Sequence, residues 1–185
     1  MPFPVFNHIG DDHNVHIGSK ICLRHLETGY YIRSSSQNYQ GGSSQQIVHA
    51  ASQNAEHEDW WQVVTPYGQD IPHGNRIPYG SKVRIYHMAT FKWLHSHNVR
   101  SPSSGQNEVS CFGNDNASDN NDNWIVEKQD GSGGDWHAND RFVLRHEGTG
   151  AYLHSHNVKF NNSNEVTTFS GDRNDPNNVF GTRFG

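Results

Sequence analysis

The chain has 185 residues, of which 32% are hydrophobic, 18% charged and 11% aromatic, and its formal net charge is −5. That length suits one domain, and the aromatic content with modest net charge excludes a disordered chain. Val, Ile, Phe, Tyr and Trp number 43 against 14 for Ala, Leu and Met, which selects an all-β fold and excludes a helical bundle.

In chain order, Met1 to His8 lacks a basic segment followed by an apolar one, so no signal peptide is legible there. Three related segments follow. The first reads Gly18-Ser19-Lys20-Ile21-Cys22-Leu23-Arg24-His25, then Thr28-Gly29-Tyr30-Tyr31-Ile32. The second reads Gly80-Ser81-Lys82-Val83-Arg84-Ile85-Tyr86-His87, then Trp93-Leu94-His95-Ser96-His97. The third reads Asn139-Asp140-Arg141-Phe142-Val143-Leu144-Arg145-His146, then Thr149-Gly150-Ala151-Tyr152-Leu153-His154-Ser155-His156.

Downstream landmarks recur in the same order. Gln45-Gln46-Ile47-Val48 matches Asn107-Glu108-Val109-Ser110 and Asn164-Glu165-Val166-Thr167, and each copy ends on an aromatic: Trp61, Trp124 or Phe180. Alternation predicts a strand over each first segment, with Ile21, Leu23 and His25 on the inner face beside their counterparts through His87 and His146. Thr28-Gly29 and Thr149-Gly150 read as turns in which glycine supplies positive φ. The polar runs 52–58, 114–123 and 171–178 read as solvated loops, and the Gly/Pro/Asp-rich stretches 66–79 and 129–136 as joins between copies.

The copies occupy about residues 15–66, 77–128 and 136–181 of a single domain spanning 1–185. Three units of this size, each with about four short strands, suit a closed threefold arrangement, because closure removes exposed sheet edges. The predicted architecture is a β-trefoil with pseudo-threefold symmetry.

The triplet resembles the MIR repeat of protein O-mannosyltransferases, inositol-trisphosphate and ryanodine receptors, and stromal cell-derived factor 2-like proteins. A strand ending in Arg-His, a Thr-Gly turn, Tyr-Leu-His-Ser-His and Asn177-Asn178-Val179-Phe180 carry the likeness, over about residues 15–181. Lys92-Trp93-Leu94-His95-Ser96-His97, with Ser101-Pro102 and Glu108-Val109-Ser110-Cys111-Phe112-Gly113, is especially similar to the stromal cell-derived factor 2-like group. Arg33-Ser34-Ser35 departs by standing where His-Ser-His is expected, Phe180 stands where Trp is usual, and Thr182-Arg183-Phe184-Gly185 carries no retention tetrapeptide.

This resemblance implies a non-enzymatic protein of the endoplasmic reticulum lumen, or a secreted one, acting in protein folding quality control. Its implied partners are a lumenal J-domain co-chaperone and, through it, the chaperone BiP, with unfolded or O-mannosylated proteins as clients. The alternative it implies is a carbohydrate- or acceptor-peptide-binding module of an O-mannosyltransferase. Neither reading requires a cofactor or a metal.

The residues themselves leave several chemistries to weigh. There are 14 histidines, and His95-x-His97 and His154-x-His156 each put two imidazoles on one strand face, a spacing zinc sites use. Yet threefold symmetry separates the two motifs, and no carboxylate recurs at a fixed offset from them. Two other readings stay open: structural hydrogen bonds at each turn, and a ligand rim formed by His95, Ser96, His97, His154, Ser155 and His156. His25, His87 and His146 read as structural landmarks on the core face, and Trp61, Trp124 and Phe180 as core. Trp60, Trp93 and Trp136 have no aromatic counterpart in all three copies and are expected at the surface, where a partner would meet them.

The remaining signals are mostly negative. No EF-hand loop, nucleophile elbow or phosphate-binding glycine loop occurs, so no catalytic residue is assigned. The acidic balance without a basic run excludes nucleic acid, and no apolar stretch is long enough to span a bilayer. The sequons Asn116-Ala117-Ser118 and Asn161-Asn162-Ser163 are no more than chance supplies. Cys22 should face away from the core and Cys111 inward, unpaired with each other.

Overall fold

The computed structural model describes Phe3 and residues 12–184, so the reading of the N-terminal segment lies outside the described residues. Twelve strands form in three sets of four. These are β1 (Lys20–His25), β2 (Ile32–Asn38), β3 (Gln46–Ala50) and β4 (Trp61–Val64); β5 (Lys82–His87), β6 (Lys92–Arg100), β7 (Asn107–Phe112) and β8 (Asn123–Lys128); and β9 (Phe142–His146), β10 (Tyr152–Phe160), β11 (Ser163–Phe169) and β12 (Phe180–Phe184). Before the last strand of each set stands one turn of 3-10 helix: His57–Asp59, Asn120–Asp122 and Pro176–Asn178.

Antiparallel pairing closes two rings. The first and last strands of the sets form a six-stranded barrel in the order β1–β4–β5–β8–β9–β12 and back to β1. The middle strands form three hairpins, and β3, β7 and β11 pair with one another in a triangle that caps the barrel. Each hairpin bulges at the same place, after Ser34, Ser96 and Ser155. A barrel closed by a triangle of hairpins is the β-trefoil.

Strand alternation decides the core. Ile21, Leu23, Val83, Ile85, Phe142 and Leu144 point inward from the barrel, and Trp61, Trp124 and Phe180 fill the space between them, all buried. The indole N–H groups of Trp61 and Trp124 donate to the Ile32 and Leu94 carbonyls, each at 3.0 Å. Phe180 fills the third position without that donor.

The opposite end of the barrel is closed by the two segments read as joins together with the stretch at Val15, the start of the first repeat. Val15 and Trp136 donate backbone N–H groups to the Trp136 and Ile77 carbonyls, both at 2.8 Å, and these three side chains plug the opening. This corrects the expectation for two tryptophans. Trp136 is fully buried as the largest part of the plug, and Trp93 is buried against Tyr86 with the Arg84 guanidinium 4.1 Å from its ring centroid. Trp93 stands where the other repeats have Tyr31 and Tyr152, and Trp136 where they have Val15 and Ile77.

Cys22 lies outside the central cluster, as strand phase requires, yet it is buried, while Cys111 joins the core. The two are not bonded to each other, and burial pushes both thiols up to about 12. No helix among the described residues is long and apolar enough to cross a membrane.

Candidate functional site

Each first strand ends in a histidine whose ring is held at both nitrogens. Nε2–H of His25, His87 and His146 donates to the carbonyls of Asn177, Glu58 and Asn121 at 3.0, 2.8 and 2.7 Å. Nδ1 therefore accepts from the hydroxyl of Thr28, Thr90 or Thr149 three residues on, at 2.8, 2.6 and 2.9 Å. The carbonyl belongs in every case to the 3-10 turn of the preceding repeat in the ring. Each imidazole also packs on the aromatic landmark there, with centroids 5.4, 4.6 and 4.9 Å from Phe180, Trp61 and Trp124. Burial lowers the pKa of His25 and His146, and that of His87 to about 4, so all three rings are neutral staples between repeats.

The polar runs read as solvated loops hold a second set of buried groups. Asp59, Asp122 and Asn178, the last residues of the three 3-10 turns, are buried. Arg33 grips Asp59 with two donors at 2.7 and 2.8 Å, His95 Nδ1–H donates to Asp122 at 2.8 Å, and His154 Nδ1–H donates to Asn178 Oδ1 at 2.7 Å. Departing from His-Ser-His, the first repeat keeps the contact and changes its chemistry. Asp59 and Asp122 also accept the backbone N–H groups of Glu56 and Asp119, fastening their turns. One sequence signal could have located all three: each stands two residues before its aromatic landmark.

The outer imidazoles meet a third set. His97 Nε2–H donates to Glu108 at 3.1 Å and His156 Nε2–H to Glu165 at 3.2 Å, and both carboxylates are buried. A carboxylate thus does recur beside the tandem motif. Its offset varies because the hairpin loops differ in length, from the long tip before Gln46 to the two-residue turn Asn161-Asn162. Each long tip clasps the carboxylate of the next repeat. Ser43 donates to Glu108, and Ser103 and Ser104 donate to Glu165. Burial by itself would raise the Glu165 carboxyl, but the bonds from His156, Ser104 and Ser103 overrule it and hold it at about 2.

Between these layers, Ser34, Ser96 and Ser155 are buried and donate to the carbonyls of Ile47, Glu108 and Glu165 at 2.7, 2.9 and 2.9 Å. The six residues of the two tandem motifs therefore face into the hairpin layer, and only His97 and His156 retain modest exposure, 14% and 11% of the side chain.

One group of metal-ligating type, His95 with Asp119 and Asp122, gathers its donor atoms within 4.8 Å among the described residues. Asp122 already accepts from His95, Ser118 and the Asp119 N–H. The same geometry serves Arg33–Asp59 and His154–Asn178, where no ligand set of that kind is found among the described residues, so the arrangement answers a structural need.

A cavity of about 650 Å³ opens where the three hairpin tips meet. Tyr39, Ile47 and Phe160 form its floor, and the amides of Gln37, Asn38, Gln40 and Asn161 with Arg100 form its rim. Tyr39 is fixed by donating to the Val109 carbonyl at 2.8 Å, with its ring 5.6 Å from Phe160. The bowl exists because the third tip is short, a two-residue turn with φ of +50° and +63°, while the other two rise around it.

Comparison with known proteins agrees with this architecture. The MIR domain family matches residues 33–164. A stromal cell-derived factor 2-like protein of Arabidopsis thaliana is 41% identical over 145 residues, 77% of this chain and 65% of the relative. Dolichyl-phosphate-mannose–protein mannosyltransferase 1 of Saccharomyces cerevisiae is 37% identical over 180 residues, 88% of this chain but 22% of the enzyme. The crystal structure of the Arabidopsis thaliana SDF2-like protein superposes with a TM-score of 0.87 at 34% identity, covering 92% of this chain and 94% of that one. The chain thus spans about two thirds of the first relative's length and under a quarter of the second's. A trefoil whose three repeats share the histidine staple and the buried turn-end partner, matched in sequence and in structure, belongs to the MIR domain family and within it is akin to the SDF2-like proteins.

Proposed function

We propose that this chain is a non-enzymatic binding module of the endoplasmic reticulum lumen that engages a J-domain co-chaperone, through it BiP, and unfolded client proteins. The observation that carries the reading is the fate of the reactive side chains. The imidazoles and carboxylates of the repeat motifs are spent on bonds within the fold, leaving loops and hairpin tips to meet a partner. Likeness to SDF2-like proteins over most of the chain supports the same class. Mixing the purified chain with a lumenal J-domain protein and BiP should yield a co-eluting complex on size exclusion, with less aggregation of a denatured client than without the chain. Separate elution of all components, with client aggregation unchanged, would refute it.

A second reading, a carbohydrate- or acceptor-peptide-binding module, is favoured by the hairpin bowl. An aromatic floor with an amide rim is suited to a polyhydroxyl ring or an extended peptide, and its volume lies in the range of ligand sites. Mannosides should then shift the amide resonances of Tyr39 and Phe160, and a blank glycan array at high protein concentration would remove the saccharide form.

A further inference from the structure

Three equivalent turns join the first and second strands of the repeats, and one of them breaks the pattern. The backbone N–H groups of Gly29, Phe91 and Gly150 donate to the carbonyls of His25, His87 and His146 at 2.7, 2.9 and 2.8 Å. All three residues are left-handed, with φ of +75°, +62° and +69°. Glycine adopts that conformation freely. A phenylalanine there crowds its Cβ against the following carbonyl, and a bulky residue at positive φ is a true outlier.

The strain is not repaid by burial. Phe91 is 42% exposed, and no aromatic ring among the described residues stacks on it. Phe112, 44% exposed, is the partner of Trp93 in the β6–β7 register, two residues along from Phe91. The second repeat therefore displays two exposed phenylalanines near the start of β6, one in the turn that leads into it and one across the ladder from Trp93. In the first repeat the turn position is Gly29, and in the third it is Gly150.

The surroundings are acidic. Glu58 lies next to the turn, its carbonyl accepting from His87, and exposed Glu56 stands two residues before it. On the other side Asp119, 55% exposed, lies 3.9 Å from His95, whose ring is 5.1 Å from Phe112. Opposing them are Lys92, whose ammonium bonds the Gly113 carbonyl, Arg84, stacked on Trp93 and near the buried Asp122, and Arg33, which is taken up by Asp59 and reaches Glu56 at 3.5 Å. The balance is negative, which disfavours an anionic membrane and favours a cationic partner.

We propose that Phe91 and Phe112 form a docking surface for a protein segment that carries Lys or Arg beside an apolar side chain. This rests on the reading of the chain as a protein-binding module and deepens it by naming the surface and the partner's chemistry. Aromatic anchors with a charged rim are the form that energetically important contacts take at interfaces. Phe91 is exposed at a position where the glycines of the other two repeats present no side chain.

The test pairs stability with binding, using the chain as it stands. Three fluorescent peptides of about fifteen residues would be titrated, enough length to cover such a patch. One has Lys/Arg beside Leu/Phe, one has those cations changed to Glu/Asp, and one has the apolar residues changed to Ser. The wild-type chain should bind the first alone, and Phe91→Gly and Phe112→Ser should each weaken it about tenfold or more. Phe91→Gly should also melt about 1–4 °C higher, because strain is relieved in the folded state. A lower melting point for Phe91→Gly, equal affinity for the acidic peptide, unchanged affinity in both variants, or no peptide bound would each overturn the proposal. Failure to form a complex with a J-domain protein would strike the identity of the partner and leave these readouts intact.

Discussion

Acidification should unfold this protein through its buried imidazoles, and His87 gives the magnitude. Unfolded, its pKa is near 6.5; folded, burial depresses it to about 4. The folded state therefore refuses a proton that the unfolded state accepts. The stabilisation is complete above the unfolded pKa and is lost as pH falls from about 6.5 towards 4. At about pH 5 this one ring costs about 2 kcal/mol relative to about pH 7.5. His25, His146 and His154 are shifted in the same direction, chiefly by burial, and His49 is lowered to about 4 by burial and by Arg33. The whole loss should thus exceed that of His87 alone. Below about 4.5 the Glu165 carboxylate, held at about 2, adds a further loss of the same sign.

Urea denaturation across that pH range measures it, with the variant His87→Gln as control. The variant keeps a side chain able to hydrogen-bond but cannot titrate. It should be less stable at neutral pH, and its decline to about pH 5 should be shallower by about 2 kcal/mol. A wild-type protein as stable at about pH 5 as at neutrality would refute the reasoning. So would a variant that declines as steeply as wild type.

Three further outcomes follow from the packing. Trp136→Phe should cost about 1–2 kcal/mol less than Trp124→Phe in thermal or chemical denaturation, because the Trp136 indole N–H has no partner to lose among the described residues while Trp124 donates to Leu94. Arg33→Ala strands the buried Asp59 carboxylate and should cost about 3–5 kcal/mol, whereas Arg33→His with Asp59→Asn reproduces the His154–Asn178 pair and should recover more than half of that, read by the same melts. Cys22 and Cys111, both buried with thiols pushed up to about 12, should resist a thiol reagent in the native state and react once denaturant is added.

The barrel and its closure were legible in the sequence because repetition exposes them: the same alternation before His25, His87 and His146 recurs with an aromatic at the same remove. Local chemistry was harder to see. Asp59, Asp122 and Asn178 lie in runs whose composition reads as solvated, and only a tertiary partner makes burial of such groups affordable. No tryptophan recurs at the positions of Trp93 and Trp136, where the other repeats have Tyr31 and Tyr152 or Val15 and Ile77, so repetition of one residue type does not mark them as core. The core instead accepts one large side chain where its two equivalents are small, as Trp136 does beside Val15 and Ile77. The Thr-Gly turn was read in two repeats, while in the second the same turn is built on Thr90 and Phe91 and gave no glycine to detect.

Three internal copies under one geometry also separate what the fold demands from what a single copy can relinquish. Glu108 and Glu165 are each surrounded by a histidine from their own hairpin and serines from the preceding tip. At the equivalent position the first repeat has Gln46, with Ser35 in place of the histidine and the short Asn161-Asn162 turn in place of the serine-bearing tip. These three changes belong together, because a buried carboxylate stripped of its donors would cost several kcal/mol. An amide avoids that cost and finds its own acceptors, with Gln46 Nε2–H groups donating to Ser34 and Thr90 at 2.9 and 2.8 Å. The short third tip that removes the donors is the same feature that opens the bowl over Tyr39 and Phe160. Loss of the carboxylate in one repeat and appearance of a cavity between the hairpin tips are therefore two consequences of a single shortened hairpin.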